Sequence, residues 1–234
     1  MSATLKQQCL AAAAKHLPTL EAVAQEITYK PAGILPSEMA LYCSLMTEQG
    51  IDIVIESGRR NGYSTEFLAS WAESHLCRVM SVELSPQAEV DKRLHDNWSH
   101  ILSCFTGDGT QIVAELVKEY AVDRGHRVAV LLDGPKGPAA YAVWESVKDQ
   151  VAFGAIHDAS RRIELGSGRG TAPNPARDLF AAGGAWFTDD PEYLAMAAPM
   201  DESAWRGEYE SRSELTAVGY TLAVFQGGKW WGEA

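Results

Sequence analysis

Residues 51–65 of the chain read IDIVIESGRRNGYST, and this stretch decides the fold. The apolar run IDIVI predicts a buried strand, and an acid, Glu56, follows it directly. Gly58 and Gly62 predict a turn, and Ser64-Thr65 predicts the capped start of a helix. A buried strand, a glycine turn and a capped helix form the unit that holds a nucleotide-like ligand at the end of a parallel sheet.

The same strand-then-helix pattern recurs along the rest of the chain. Apolar runs predict strands at 51–55, 78–84, 101–105, 127–132, 151–156, 185–188 and 220–225. Helical spacing and capping residues predict helices at 2–27, 39–49, 64–74, 110–120 and 139–149, with a break at Pro18 and a further helix starting at Ser85-Pro86. We therefore expect an α/β fold, a doubly wound, mostly parallel seven-stranded sheet with helices on both faces and an N-terminal helical extension.

The size and composition of the chain fit a single domain. Its 234 residues, 46% apolar and 22% charged, are ordinary for a globular protein with a substantial core. We expect N-terminal helices over 1–50, a ligand-binding core over 51–158, and substrate loops with the final strands over 159–234. No apolar run approaches the roughly 20 residues that span a bilayer, and we expect a cytoplasmic protein without a secretory signal or a membrane partner.

The net charge of −11 argues against a nucleic-acid partner, because such binding depends on Lys and Arg side chains that neutralise phosphates. The pairs Arg59-Arg60 and Arg161-Arg162 are local basic exceptions. The cysteines are widely spaced without a C-x-x-C motif, so we expect reduced thiols rather than a zinc cluster or a disulfide framework at Cys9, Cys43, Cys77 and Cys104.

Chemically distinctive residues follow each of the first five predicted strands. They are, in chain order, Glu56 and Gly58, then Glu83, then Asp108, then Asp133 and Lys136, and finally His157 and Asp158. Because ligands of an open parallel sheet bind beyond the carboxyl ends of its strands, we expect these residues to share one site. Glycines there would let the backbone approach a ligand. Glu83 could accept a hydrogen bond from a ribose hydroxyl, and Asp108 could accept one from an adenine amino group.

The turn differs from the dinucleotide-binding fingerprint. That fingerprint is G-x-G-x-x-G, whereas this chain has G-R-R-N-G, with Arg60 at the position of the second glycine and Glu56 ahead of the turn. A pyrophosphate would have to lie beside that acid. The stretch therefore argues against a dinucleotide reductase. Retention of the protein on an immobilised NAD analogue would support that hypothesis again.

The segment Glu56-Ser57-Gly58 through Gly62-Tyr63-Ser64, taken with Glu83, Asp108 and Asp133, resembles the class I S-adenosylmethionine-dependent methyltransferases. In that family an E/D-x-G-x-x-x-G loop surrounds the amino-acid part of the cofactor, and the acids after the second and third strands bind ribose and adenine. The resemblance covers about residues 35–160, and the last strand fits the family's antiparallel hairpin. It implies that S-adenosylmethionine is bound by Glu56, Gly58, Gly62, Ser64, Thr65, Glu83, Asp108 and Asp133.

Within that family, Gly62-Tyr63-Ser64 and the D-G-P-K segment at 133–136 resemble the catechol-type and related small-molecule O-methyltransferases. Those enzymes bind a divalent cation through an acid after the fourth strand and an Asp-Asn pair after the fifth, and a lysine helps to deprotonate the acceptor. The resemblance implies catalytic roles for Lys136, His157 and Asp158, and a cation such as Mg²⁺ at Asp133 and Asp158. The chain departs from the pattern at position 159, which is Ala instead of Asn.

Each of these residues also has a purely structural interpretation. Glu56, Glu83 and Asp158 could cap helices or loops, and Lys136 could be a solvated loop lysine. His157 could be a general base, a neighbour of a metal, or a core histidine with satisfied nitrogens. For the pair Arg59-Arg60 we favour solvent exposure or contact with the cofactor carboxylate over pairing with acids.

The sequence as a whole predicts a methyltransferase that acts on an oxygen of a small-molecule acceptor. A non-catalytic relative that retains the cofactor is the alternative, motivated by Ala159 and by the arginine pair. The acceptor should be recognised by residues 159–215, where Trp186, Trp205 and Tyr209 could stack on a planar group or pack in the core. Trp230-Trp231 could pack on the sheet edge or form a subunit contact in a homodimer.

Overall fold

The computed structural model of the chain describes residues 3–30, 33–159, 184–201 and 221–230. Two helices come first, α1 (Leu5–Glu26) and α2 (Pro36–Gln49). Strands and helices then alternate as β1 (Ile53–Ser57), α3 (Tyr63–Glu73), β2 (Arg78–Glu83), α4 (Ala88–Trp98), β3 (Leu102–Thr106), α5 (Gly109–Val117), β4 (Val128–Leu132), α6 (Pro138–Val147) and β5 (Phe153–Ile156). The last described elements are β6 (Ala185–Phe187), α7 (Pro191–Ala197) and β7 (Ala223–Gln226).

The seven strands form one sheet in the order β3-β2-β1-β4-β5-β7-β6. Strands β1 to β5 are parallel, while β7 runs antiparallel to both β5 and β6. The predicted fold class is therefore confirmed. The strand order reverses between β1 and its neighbour β4, so the crevice beyond the carboxyl ends of these two strands is the expected ligand site of this topology.

Alternation along the central strands separates two cores, because successive side chains of a strand point to opposite faces of the sheet. On one face, Val54 and Leu131 pack with α1, α2, α3 and α4. On the other face, Ile55 and Val130 pack with α5 and α6. The central strands β1 and β4 are buried along their whole length, whereas the edge strand β3 exposes Ser103 and Cys104. None of the described helices is both long and apolar enough to cross a membrane.

The first strand lies two residues later than predicted. The backbone N–H of Ile51 donates to the carbonyl of Met46 at 3.1 Å, so Ile51 closes the end of α2 instead of opening β1. Gly50, in the left-handed conformation at φ 57°, ends α2 as its position suggested. Glu56 consequently lies within β1, not after it.

Two other local predictions were wrong. Pro18 lies inside one continuous helix, which Thr4 caps together with Gln7. Helix α4 begins at Ala88 rather than at Ser85-Pro86. The described part of 159–234, where we expected substrate loops with the final strands, also contains α7 and a short 3-10 turn, Ala198–Asp201.

Much of the predicted acceptor region, including Trp205 and Tyr209, lies outside the described residues, as do Arg161-Arg162 and Trp231. Trp186 and Trp230 are described, and both pack in the protein, on Tyr193 and Phe153 respectively.

Candidate functional site

The carboxylate of Glu56 is enclosed by hydroxyl groups of the protein itself. Glu56 is fully buried, and it accepts hydrogen bonds from Ser64, from Thr65 Oγ1 at 2.5 Å and from Ser81 Oγ at 2.6 Å. Burial raises the pKa of Glu56, although all three hydroxyls favour its charged form. The structure thus brings together three predicted cofactor residues, Glu56, Ser64 and Thr65, as a network that ties the end of β1 to the start of α3.

The two glycines of the turn are required by contacts within the protein. At Gly58 (φ 100°) a Cβ would lie 2.2 Å from the backbone nitrogen of Gly134. At Gly62 (φ 87°) it would lie 2.9 Å from Cγ1 of Val90 on α4. Both glycines therefore allow close packing of neighbouring segments at positive φ, which side chains rarely tolerate.

The arginine pair divides into one buried and one exposed side chain. Arg59 is only 1% exposed, so the expectation of solvent exposure was wrong for this residue. Its guanidinium donates to both oxygens of Asp91, Nε to Oδ1 at 2.9 Å and Nη2 to Oδ2 at 3.2 Å, and Nη1 donates to the Ser81 carbonyl at 2.8 Å. Arg60 is exposed and has φ 42°.

Glu83, half-buried at the carboxyl end of β2, is oriented by the backbone. Its Oε2 accepts from the N–H of Arg60 at 2.8 Å, and its Oε1 accepts from the N–H of Ser85 at 3.0 Å. The carboxylate is thus held at the rim of the turn after β1, where each oxygen has further acceptor capacity for a ligand hydroxyl.

Asp108 is exposed and caps α5. Its Oδ1 accepts from the N–H and the hydroxyl of Thr110, both at 2.8 Å, and these bonds lower the pKa of the carboxyl. Oδ1 is therefore engaged in a helix cap, while the predicted contact of Asp108 with adenine stays a prediction.

The ends of β4 and β5 bring Asp133, Lys136, His157 and Asp158 together. Nδ1 of His157 lies 2.9 Å from Oδ1 of Asp133 and 3.6 Å from Oδ1 of Asp158. The ammonium of Lys136 donates to Oδ1 of Asp133 and pairs with Oδ2 of Asp158 at 2.7 Å. We call these four residues the lysine–carboxylate cluster.

A fifth residue, Glu38 on α2, extends this cluster into the protein. Glu38 is fully buried, and its Oε2 lies 3.5 Å from Nε2 of His157 and accepts from the N–H of Leu35 at 3.1 Å. Its Oε1 accepts from the Thr188 hydroxyl at 3.0 Å. The imidazole therefore lies between two carboxylates, a position that no local pattern around Pro36-Ser37-Glu38 could reveal.

The charges of the cluster stabilise one another. Burial opposes protonation of His157, but Asp133 and Glu38 outweigh it and raise the pKa of the imidazole to about 10. Burial likewise opposes ionisation of Asp133, yet His157 and Lys136 hold its pKa well below the usual range. The two carboxylates also raise the pKa of Lys136 against the effect of burial. Near neutral pH, His157 and Lys136 are therefore cations, and neither is a ready proton acceptor.

Asp158 has a left-handed backbone, at φ 58°. Asp tolerates this region better than most residues, and non-glycine residues found there often belong to functional sites. The conformation directs the carboxylate toward Lys136 and His157.

The donor set of the cluster is poorly suited to a divalent cation. Asp133, His157 and Asp158 each offer one atom, and these atoms lie within 4.8 Å of one another. However, the Lys136 ammonium contacts both carboxylates, and Nδ1 of His157 contacts Asp133. Ala159, at the position where the resemblance predicted a ligand Asn, is 3% exposed and packs in the core. The described residues therefore do not fit a hard divalent ion such as Mg²⁺, which prefers several oxygen ligands.

No protein-family model matches the chain, and no curated protein matches it. Among solved structures, the O-methyltransferase TomG from Streptomyces achromogenes, described in complex with SAM, is similar over 90% of this chain and 89% of its own, with 14% identity and a TM-score of 0.49.

A CmcI structure described with SAH is similar over 80% of this chain and 75% of its own, with 12% identity and a TM-score of 0.40. The fibrillarin pre-rRNA processing protein of Methanococcus jannaschii is similar over 79% of this chain and 69% of its own, with 16% identity and a TM-score of 0.41. At these identities and TM-scores, the likenesses assign neither a family nor an activity to this chain.

Proposed function

We propose that the chain is an S-adenosylmethionine-dependent methyltransferase that methylates an oxygen of a small molecule. The observation that carries this proposal is the placement of two different groups on opposite sides of the strand-order reversal between β1 and β4. Glu83 lies on the β2 side, and the lysine–carboxylate cluster lies at the ends of β4 and β5. A hydrogen-bonding acid on one side suits a ribose, and a charged cluster on the other suits a reacting hydroxyl.

On the cofactor side, Glu83 binds the two ribose hydroxyls. Its carboxylate needs no reorganisation, because the N–H groups of Arg60 and Ser85 already fix both oxygens. The buried Glu56 network and the Arg59–Asp91 pair hold the turn in place, so they are positioning groups. When bound, the cofactor supplies a methyl group on a positively charged sulfur, which is a good leaving group.

On the acceptor side, the Lys136 ammonium binds the acceptor oxygen and lowers the pKa of its hydroxyl. The Asp158 carboxylate would take the proton of the acceptor hydroxyl as the oxygen receives the methyl group, for which the cofactor's sulfur would be the leaving group. His157 orients Asp133, which in turn holds Lys136. Alignment of the reacting atoms supplies most of the acceleration, since positioning alone can contribute several kcal/mol.

The cofactor half of the proposal is tested by calorimetry with S-adenosylhomocysteine. The wild-type chain should bind one equivalent, and Glu83→Gln should weaken binding by roughly tenfold or more, because hydrogen bonds to a charged group contribute about 1.5–3 kcal/mol. Glu89→Gln, which changes an exposed acid on α4, is the matched control and should bind like the wild type. A folded wild-type sample that does not bind at high micromolar ligand would reject the proposal.

A cofactor-binding protein without catalysis is the second candidate. The observation that favours it is the pairing of Lys136 with two carboxylates, which engages the ammonium inside the protein. Release of S-adenosylhomocysteine, measured with a panel of phenols, catechols and aliphatic alcohols, separates the two functions. Turnover that falls strongly in Lys136→Ala supports the enzyme, whereas cofactor binding without turnover on any acceptor supports the second candidate.

A further inference from the structure

We propose that the Lys136 ammonium is the resident cation of the Asp133–Asp158 carboxylate pair and occupies the place that a divalent ion would need. The role of this ammonium in catalysis rests on the proposed methyl transfer, but its occupation of the carboxylate pair can be measured without any reaction.

The geometry of the pair is the first support. The ammonium donates to Oδ1 of Asp133 and lies 2.7 Å from Oδ2 of Asp158, so one nitrogen bridges two carboxylates that belong to different strand ends. Both carboxylates are mostly enclosed, with side-chain exposures of 15% and 16%. An ion that joined them would meet the same oxygens that the ammonium now contacts.

The other donors near the pair are already engaged. His157 directs Nδ1 to Asp133 at 2.9 Å, while its Nε2 lies 3.5 Å from Glu38. The next residue of the chain, Ala159, offers only a buried methyl group and donates its N–H to the carbonyl of Thr221 at 3.0 Å. Within the described ranges, the acidic, histidine and cysteine side chains that could together hold an ion here are Asp133, His157 and Asp158.

Charge balance is the third support. Lys136 and the protonated His157 offset the charges of Asp133 and Asp158, and Glu38 adds a third carboxylate on the far side of the imidazole. A divalent ion added to this arrangement would lie beside an ammonium and an imidazolium, and like charges in a poorly solvated site repel strongly. Lys136 would have to leave first, and its side chain, 46% exposed, is the member of the cluster most able to do so.

Removing the ammonium should therefore turn the pair into a cation site. The Lys136→Met substitution keeps the apolar volume of the lysine side chain but removes its charge, so the carboxylates of Asp133 and Asp158 remain close together without a bridging cation. Such a pair favours a divalent ion, since carboxylate oxygens are the preferred ligands of Mg²⁺ and Mn²⁺.

Electron paramagnetic resonance of free Mn²⁺ tests this inference on the full-length chain. For each variant, Mn²⁺ uptake is measured with and without an added Asp158→Asn substitution, and the uptake that this substitution abolishes is counted as binding at the pair. Free Mn²⁺ is raised to about 1 mM, a concentration that reaches the weak end of divalent sites. We expect none for the wild type and about one ion per chain for Lys136→Met. Lys148→Met, which removes an exposed lysine paired with Glu145 on α6, is the control and should match the wild type.

Two results would overturn the proposal. One is wild-type uptake of one Mn²⁺ that Asp158→Asn abolishes, and the other is the absence of such uptake in the folded Lys136→Met chain. Lys136→Gln, judged by the same criterion, replaces Lys136→Met if circular dichroism shows that the latter is unfolded. Because neither result involves S-adenosylhomocysteine, failure here is distinguishable from failure of the proposed function.

Discussion

Loss of the Asp91 carboxylate should destabilise the protein far more than loss of a neighbouring acid on the same helix. Asp91 pairs with Arg59, whose guanidinium is 1% exposed, and removal of this partner leaves Nε and Nη2 of a buried charge without their acceptor. Breaking a buried pair in this way costs about 3–5 kcal/mol. Because the Asp91 side chain is 30% exposed, water can enter, and we expect about 2–3 kcal/mol for Asp91→Ala.

The matched control is Asp96→Ala, also on α4. Asp96 pairs with Lys92 across one helical turn, and both side chains are exposed, so its loss should cost about 0.3–0.5 kcal/mol. Both substitutions introduce alanine into the same helix, so the gain in helix propensity is similar.

Urea unfolding followed by circular dichroism measures the difference. In thermal unfolding of a chain of this size, we expect the melting temperature of Asp91→Ala to be lower by about 4–12 °C. A cost within about 0.5 kcal/mol of that for Asp96→Ala would refute the assignment of Arg59 as a buried, paired charge. The double variant Arg59→Met/Asp91→Ala should recover part of the loss, because it also removes the unpaired charge.

Three further outcomes are expected. Gly58→Ala should cost about 3 kcal/mol or more in urea unfolding, because its Cβ would lie 2.2 Å from the Gly134 nitrogen; Gly50→Ala, at φ 57° with nothing within 4 Å, should cost about 1 kcal/mol. Burial raises the folded-state pKa of Glu56, so its contribution to stability is largest below the unfolded value and is lost as pH rises through the folded value. Unfolding free energies measured from pH 4.5 upward should therefore favour Glu56→Gln increasingly over the wild type, and a constant difference would contradict this. Asp158→Asn and Asp158→Ala both remove the charge that pairs with Lys136, but Asn tolerates the left-handed backbone, so Asp158→Ala should be about 1–2 kcal/mol less stable than Asp158→Asn; equal unfolding curves for these two variants would contradict the backbone argument.

Patterns that depend on short-range physics were readable in the sequence. The apolar runs of β1 and β4 and the glycine that ends α2 could be identified because burial and left-handed backbone each select a narrow set of residues. The mostly parallel arrangement of the sheet followed from the alternation of strands and helices. The bounds of β1 were missed because the N–H of Ile51 pairs with a carbonyl of the preceding helix, a choice that apolar character does not encode.

Contacts between distant segments could not be read in this way. The sequence placed Lys136 and Asp158 at neighbouring strand ends, but the bridging of two carboxylates by one ammonium depends on side-chain rotamers. The burial of Arg59, in the turn between β1 and α3, depends on Asp91, which lies on α4 and shows no local signal. The same holds for Glu38, because its partner His157 comes much later in the chain, directly after β5.

The contact between Gly58 and Gly134 has a mechanical consequence. The carbonyl of Ser57 accepts from the N–H groups of both Asp133 (2.7 Å) and Gly134 (2.6 Å), so the segments after β1 and β4 are joined backbone to backbone. Neither segment can shift without displacing the other, and no side chain lies between them to absorb the motion. The backbone segments that carry Glu83 and Asp133, on either side of this junction, therefore keep a fixed spacing. Under the proposed function, this spacing sets the distance between the cofactor side and the acceptor side of the site before either molecule is bound.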